Sequence, residues 1–189
     1  MGDAAKRRAT YEDLLAVPDT MVAEIIDGVL HAQPRPASPH ARASSRLGVE
    51  LGGPFDKGAG GPGGWILLDE PELHLHGDVL VPDLAGWRRE RMPQLPDAAA
   101  FELAPDWICE VLSPSNAATD RAEKLPIYAR ERVAHAWLVD PIEKMLESYR
   151  LDAGGSGKWV LLGAWRDDAR VRAEPFDAIE LDLASPWAR

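Results

Sequence analysis

The chain is poor in several things at once, and each shortage narrows the possibilities. It has one cysteine, Cys109, in 189 residues, so no internal disulfide can form; inside the run Trp107-Ile108-Cys109 that residue reads as a small buried hydrophobe in a reducing compartment. Nowhere do about 18 consecutive apolar residues occur, and no membrane span is expected. The basic start Lys6-Arg7-Arg8 is not followed by an apolar stretch, so it does not read as a secretory signal. A soluble, cytoplasmic protein is expected. Positive charge is also scarce: 21 Lys and Arg stand against 31 Asp and Glu, a net charge of −10. The surface as a whole would repel nucleic acid, and any such contact must rest on a local patch. No Gly-Lys-Ser/Thr follows the glycine-rich stretch and no Gly-x-Ser-x-Gly is present, which argues against a phosphate-cradling loop and a nucleophile elbow.

What is present is a core of ordinary size and strong β patterning. A hydrophobic content of 46% in a chain of this length suits one domain over residues 1–189, with residues 1–9 expected as a flexible tail. Thr10 followed by Glu12-Asp13 predicts a capped opening helix ended near Pro18. Val22–Ile26 and Val29–His31 flank Asp27-Gly28, the dipeptide of a tight hairpin. Ser38–Leu51 carries Leu47 and Leu51 at helical spacing. Residues 52–64 hold seven glycines and two prolines and predict a mobile loop. Beyond it, 65–69, 72–76, 79–87, 107–112, 136–140, 145–151 and 159–164 read as strands of one mixed sheet. Residues 120–132 read as a crossover helix that begins or kinks at Pro126. The fold class is therefore α/β, a central mixed β-sheet flanked by helices, with an N-terminal helix and β-hairpin.

Two acids interrupt apolar strands. Asp83 follows Pro82 in Val81-Pro82-Asp83-Leu84-Ala85, and Glu110 breaks Trp107-Ile108-Cys109-Glu110-Val111-Leu112. An ionised group there costs several kcal/mol unless compensated. If the two strands are neighbours, the carboxylates can share a hard cation such as Mg²⁺ or Mn²⁺; each can equally cap a turn or pair with an arginine, and the residues alone leave both readings open.

Three other patterns bear on function. Glu72, His74 and His76 share a strand face and suit a transition metal or simply a half-exposed strand. Ser113, His135 and Asp140 are the residue types of an acyl-transfer triad without its surrounding motif. Arg88, Arg89, Arg91, Arg121, Lys124, Arg130 and Arg132 can form a basic groove, though Glu90, Glu123 and Glu131 dilute it. Seven tryptophans exceed what such a core usually needs, and some are expected at a homodimer interface.

The string Glu110-Val111-Leu112-Ser113-Pro114-Ser115, with Asp120, Lys124, Tyr128 and Trp137-Leu138-Val139-Asp140-Pro141 after it and Glu24-Ile25-Ile26-Asp27-Gly28, His40 and Pro82-Asp83 before it, resembles the Uma-type family of restriction endonucleases in the PD-(D/E)xK nuclease superfamily. The resemblance spans about residues 10 to 185. It implies a restriction-endonuclease-like core that hydrolyses DNA phosphodiester bonds with Mg²⁺, or Mn²⁺ in its place. Asp83 and Glu110 would be the metal ligands, with the Val111 carbonyl beside them. Glu24 would be the accessory acid, and His40 a further candidate at the phosphate or the site acids. The superfamily's strand lysine, two residues after the glutamate, is Leu112 here. The resemblance implies that Lys124, on the following helix, takes its place, acting on the attacking water and on the charge that develops at the phosphate. A catalytically inactive module of the same fold, binding nucleic acid or protein, is the alternative.

Overall fold

The computed structural model describes residues 7–188; the part of the N-terminal tail before Arg7 lies outside them. Arg7 is not loose: its guanidinium meets Asp13 at 2.8 Å, and the Ala9 N–H donates to the Gly28 carbonyl at 2.8 Å.

Helix α1 (Tyr11–Leu15) opens with a complete capping box, Thr10 and Asp13 each accepting from the other's backbone. Strands β1 (Met21–Ile26) and β2 (Val29–Pro34) pair antiparallel in register Ile26↔Val29. Asp27 and Gly28 between them both have positive φ, 50° and 78°, as a two-residue primed turn demands. Helix α2 (Ser38–Leu51) follows. The next residues differ from expectation. Gly52–Asp56 forms one wide π-helical turn continuing α2 and buries Phe55, because the Phe55 ring packs on Phe176 at 4.7 Å; only the remainder of the stretch is loop.

The predicted strands divide between two sheets rather than forming one, and a third, two-stranded sheet was not expected. A six-stranded mixed sheet has the order β10-β9-β8-β7-β6-β3, made of β3 (Trp65–Asp69), β6 (Leu84–Arg88), β7 (Trp107–Val111), β8 (His135–Asp140), β9 (Met145–Leu151) and β10 (Trp159–Arg166). A four-stranded sheet, β2-β1-β5-β4, adds β4 (Leu73–Leu75) and β5 (Asp78–Leu80) to the hairpin. Two short strands, β11 (Arg170–Val171) and β12 (Leu181–Asp182), pair separately, and the last helix is Ala184–Trp187. The expected strand over 79–87 is broken at Val81-Pro82-Asp83, so its halves belong to different sheets. Proline has no N–H for a ladder, and the chain changes sheets there.

The crossover between the parallel strands β7 and β8 comprises a short helical turn, α3 (Ala117–Thr119), a second π-helical turn over Asp120–Lys124, and α4 (Leu125–Arg130) with Pro126 in its first turn. There the missing N–H costs nothing. Strand alternation distributes two cores. Trp107, Cys109 and Val111 of β7 join α2 on one face, while Ile108 packs on the other face with Leu125 and Tyr128 of α4. Glu110 therefore points to the α4 face. Trp65, Trp87, Trp107 and Trp137 are buried and Trp159, Trp165 and Trp187 are half-buried within the chain, so the core takes up most of them.

Gly86, central in β6, is opposite Leu67 on β3 and Trp107 on β7. A Cβ at that position would lie 2.8 Å from the Leu67 Cδ2 and 3.2 and 3.3 Å from the Trp65 and Trp107 rings. Gly86→Ala is expected to destabilise by about 1–3 kcal/mol through overpacking; a urea midpoint equal to wild type would refute this.

Candidate active site

Three separate parts of the fold meet at a cleft of about 310 Å³ whose walls include His40, Asp83, Glu110, Arg35 and Lys124. The antiparallel register of β6 on β7, Leu84↔Cys109, carries on to bring Asp83 beside Glu110. Asp83 is thus at the junction before β6, not inside a strand, and its Oδ2 accepts the Val111 N–H at 2.7 Å. Glu24 arrives from β1 in the other sheet, held by the Val81 N–H at 2.8 Å. Both acids that sequence reasoning placed on the metal, and the accessory one, line or adjoin one site.

Lys124 joins them. Its Nζ lies 2.8 Å from Glu24 Oε1, 2.9 Å from Glu110 Oε1 and 3.6 Å from Asp120 Oδ1. It is 2% exposed, buried under the sheet end rather than solvated on the helix surface. Two neighbours with no role assigned from sequence complete the cluster. Tyr128 donates its hydroxyl to Glu110 Oε1 at 2.7 Å, and Asp120 is buried with Oδ2 lacking any partner. Their signal was the spacing Asp120, Lys124, Tyr128, which stacks side chains on one helical face.

Charge explains the protonation of the cluster. Burial alone would push the Lys124 ammonium down, but the Glu110 and Glu24 carboxylates outweigh it and hold it well above its ordinary range, so the lysine is charged. One ammonium cannot neutralise three carboxylates. Burial raises the Glu110 carboxyl well above its usual range against the pull of Lys124, and raises Asp120 to about 6.

His40 packs at the first turn of α2 with Nε2 3.2 Å from Asp83 Oδ1, while its Nδ1 is buried without a geometrically satisfied hydrogen bond. Burial opposes the imidazolium, yet Asp83 and, more weakly, the Val111 carbonyl raise its pKa above 6.5 overall. A raised histidine contributes stability that is fully present below the unfolded value and lost as pH rises through the folded one. NMR titration of the metal-free protein is expected to show His40 above 6.5, moving down in Asp83→Asn; an unmoved titration would contradict the pairing.

The donors suit a hard divalent cation. Among the described residues no three His, Cys, Asp or Glu side chains gather closely enough to hold a metal alone, but Mg²⁺ typically takes one or two carboxylates and completes its shell with water and phosphate oxygens. The acid excess over Lys124 and the orphaned Asp120 oxygen are what such a charge would relieve.

The other candidate constellations do not assemble. His74 Nε2 and the Tyr11 hydroxyl share Glu72 Oε1 at 2.7 and 2.8 Å, and His76 turns away to Glu131 at 2.7 Å. Ser113 Oγ is engaged with Ser115 and Asn116, whereas His135 faces Glu174 at 3.5 Å, so no triad forms. The basic groove is dispersed: Arg89 pairs with Asp56, Arg91 with Asp106, Arg121 with Glu147 and Arg130 with Asp78.

No helix among the described residues is long and apolar enough to cross a membrane. No curated protein matches the chain. A crystal structure described as that of "a putative nuclease belonging to DUF820" from Anabaena variabilis superposes with a TM-score of 0.73 at 23% identity, covering 95% of this chain and 97% of that one; at that identity the likeness establishes the α/β fold, a central mixed sheet flanked by helices. A family model described as "Uma2: Putative restriction endonuclease" matches residues 8–184, and with nearly the whole chain inside that match, the protein belongs to the Uma2 family.

Proposed function

We propose that this chain is a metal-dependent endonuclease, one domain that hydrolyses DNA phosphodiester bonds with Mg²⁺ or Mn²⁺. The observation that carries this reading is the meeting of Glu24, Glu110 and Asp120 around the buried Lys124 ammonium, beside Asp83 at the end of a sheet and open to a cleft. A fold stabilised for its own sake gains little from burying three acids on one base, and such clusters concentrate where chemistry needs them.

Asp83 and Glu110 are the residues to hold the cation, with the Val111 carbonyl adjacent. Bound there, it supplies Lewis-acid polarisation of the phosphate and a lowered pKa for water. In the reaction water adds to phosphorus, the bond from phosphorus to the leaving oxygen breaks, and that oxygen takes up a proton. Lys124, held in its charged form by Glu110 and Glu24, is placed to stabilise negative charge developing on the phosphate. Glu24 serves as the accessory acid, its Oε1 fixed by Val81 and Lys124. Tyr128 orients Glu110, and His40 is a positioning residue acting through Asp83. Two copies of the chain, one per strand, would cut a duplex.

Incubation of the full chain with plasmid DNA and Mg²⁺ or Mn²⁺ tests the proposal. Cleavage by wild type that is lost in Asp83→Ala and Glu110→Ala supports it. Binding without cleavage would instead identify an inactive module of the same fold.

A further inference from the structure

A phosphodiester entering the cleft meets an acidic site, and among the described residues lining it three side chains can carry positive charge: Lys124, His40 and Arg35. Lys124 is buried and occupied by two carboxylates. His40 is bound to Asp83. Arg35 differs from both. It follows β2, its NH1 lies 3.2 Å from Glu70 Oε2 with side chains 58% and 42% exposed, and its NH2 makes a long contact of 3.5 Å with the Asp19 carbonyl. An exposed pair of this kind is weakly held, so Arg35 can exchange its carboxylate for a phosphate at small cost, and a guanidinium suits phosphate through paired N–H donors.

Position strengthens the case. Glu70 is fixed at the rim by its own backbone, with φ of 46° and its N–H donating to the Asp83 carbonyl at 3.1 Å, next to the proposed metal ligand. Arg35 and Glu70 also line a second cleft of about 380 Å³ that continues past Val22 and Val81 towards Leu14 and Pro18. The two clefts share those four residues, so the ion pair stands on the divide between them.

We infer that Arg35 is a phosphate clamp for the DNA strand at the rim of the catalytic cleft, restrained by Glu70 until substrate arrives. This rests on the nuclease reading for its substrate. Glu70 has two effects: it keeps the guanidinium at the rim and opposes anions that do not displace it.

Fluorescence anisotropy of a labelled DNA oligonucleotide, single-stranded and duplex, with the full chain in EDTA and across a salt series tests the clamp without cleavage. Arg35→Ala is expected to weaken binding about tenfold and to lower the slope of log K against log salt by about one. Arg35→Lys should recover part of the slope, while Glu70→Gln tightens binding by about threefold by removing the competitor and a repulsive charge. In cleavage, KM should carry the change more than kcat. Wild-type affinity and slope in Arg35→Ala, or weakened binding in Glu70→Gln, overturns the clamp while leaving the nuclease reading intact. DNA that binds with the expected Arg35 dependence but is never cut with Mg²⁺ or Mn²⁺ overturns the nuclease reading alone, and no binding by wild type in EDTA overturns the clamp alone.

Discussion

Lys124→Met is expected to lower the stability of the metal-free protein by about 3–5 kcal/mol near neutral pH, seen as a melting temperature lower by roughly 6–20 °C. Methionine preserves most of the side-chain volume, so packing is not the cause. The loss comes from stranding Glu24, Glu110 and Asp120, all buried, without the ammonium that lies 2.8, 2.9 and 3.6 Å from them. The effect has a pH signature. Glu110 and Asp120 already have raised pKa values with Lys124 in place, and without it they rise further. The folded state then binds more protons than the unfolded chain, so stability falls as pH rises and is recovered as pH drops towards about 5. The gap from wild type should therefore narrow in acid, and Glu24→Gln added to Lys124→Met should restore part of the loss, since the two sites are coupled. A pH-independent difference, or one under about 2 °C, would mean that the acids are not relying on this lysine.

Asp83→Asn and Glu110→Gln should each reduce plasmid cleavage by about a thousandfold or more, equivalent to roughly 4 kcal/mol of transition-state stabilisation. Asp83→Asn is the cleaner substitution, because an amide oxygen can still accept the Val111 N–H that Asp83 accepts at 2.7 Å, leaving the sheet junction in place. Glu110→Gln also removes a charge from Lys124 and will carry a stability change with it. A second readout separates ligand loss from misfolding: Mg²⁺ is expected to raise the melting temperature of wild type through binding to the folded state alone, and this rise should vanish in Asp83→Asn while its circular dichroism remains native. Cleavage or a Mg²⁺ response equal to wild type in both variants would remove these acids from the mechanism.

The fold was legible where local rules suffice. Asp27-Gly28 announced its hairpin, the Thr10 box its helix, and β3 and β9 have the bounds that their apolar runs suggest. The errors share a cause. Gly52–Asp56 looked like loop because glycine and proline disfavour helix locally, and the Phe55 contact with Phe176, 121 residues on, outweighed that preference. Residues 79–87 looked like one strand because the apolar run is continuous across Pro82, while pairing partners from two sheets claimed its halves. The basic residues looked like a groove because their neighbours in sequence are visible and their partners in space are not.

The sequence by itself determined that acids stand in apolar surroundings at Asp83 and Glu110, that the lysine expected two residues after Glu110 is Leu112, and that the motifs run in the order of one nuclease family. Those are properties of residue type and spacing. Only the tertiary structure decided that β1, the junction before β6, strand β7 and the Asp120–Lys124 turn converge on one cleft, that Lys124 is buried among three acids, and that Arg35 meets Glu70 at its rim. Electrostatic energy depends on distance and on exclusion of water, and residues a hundred positions apart acquire both only when the chain has folded.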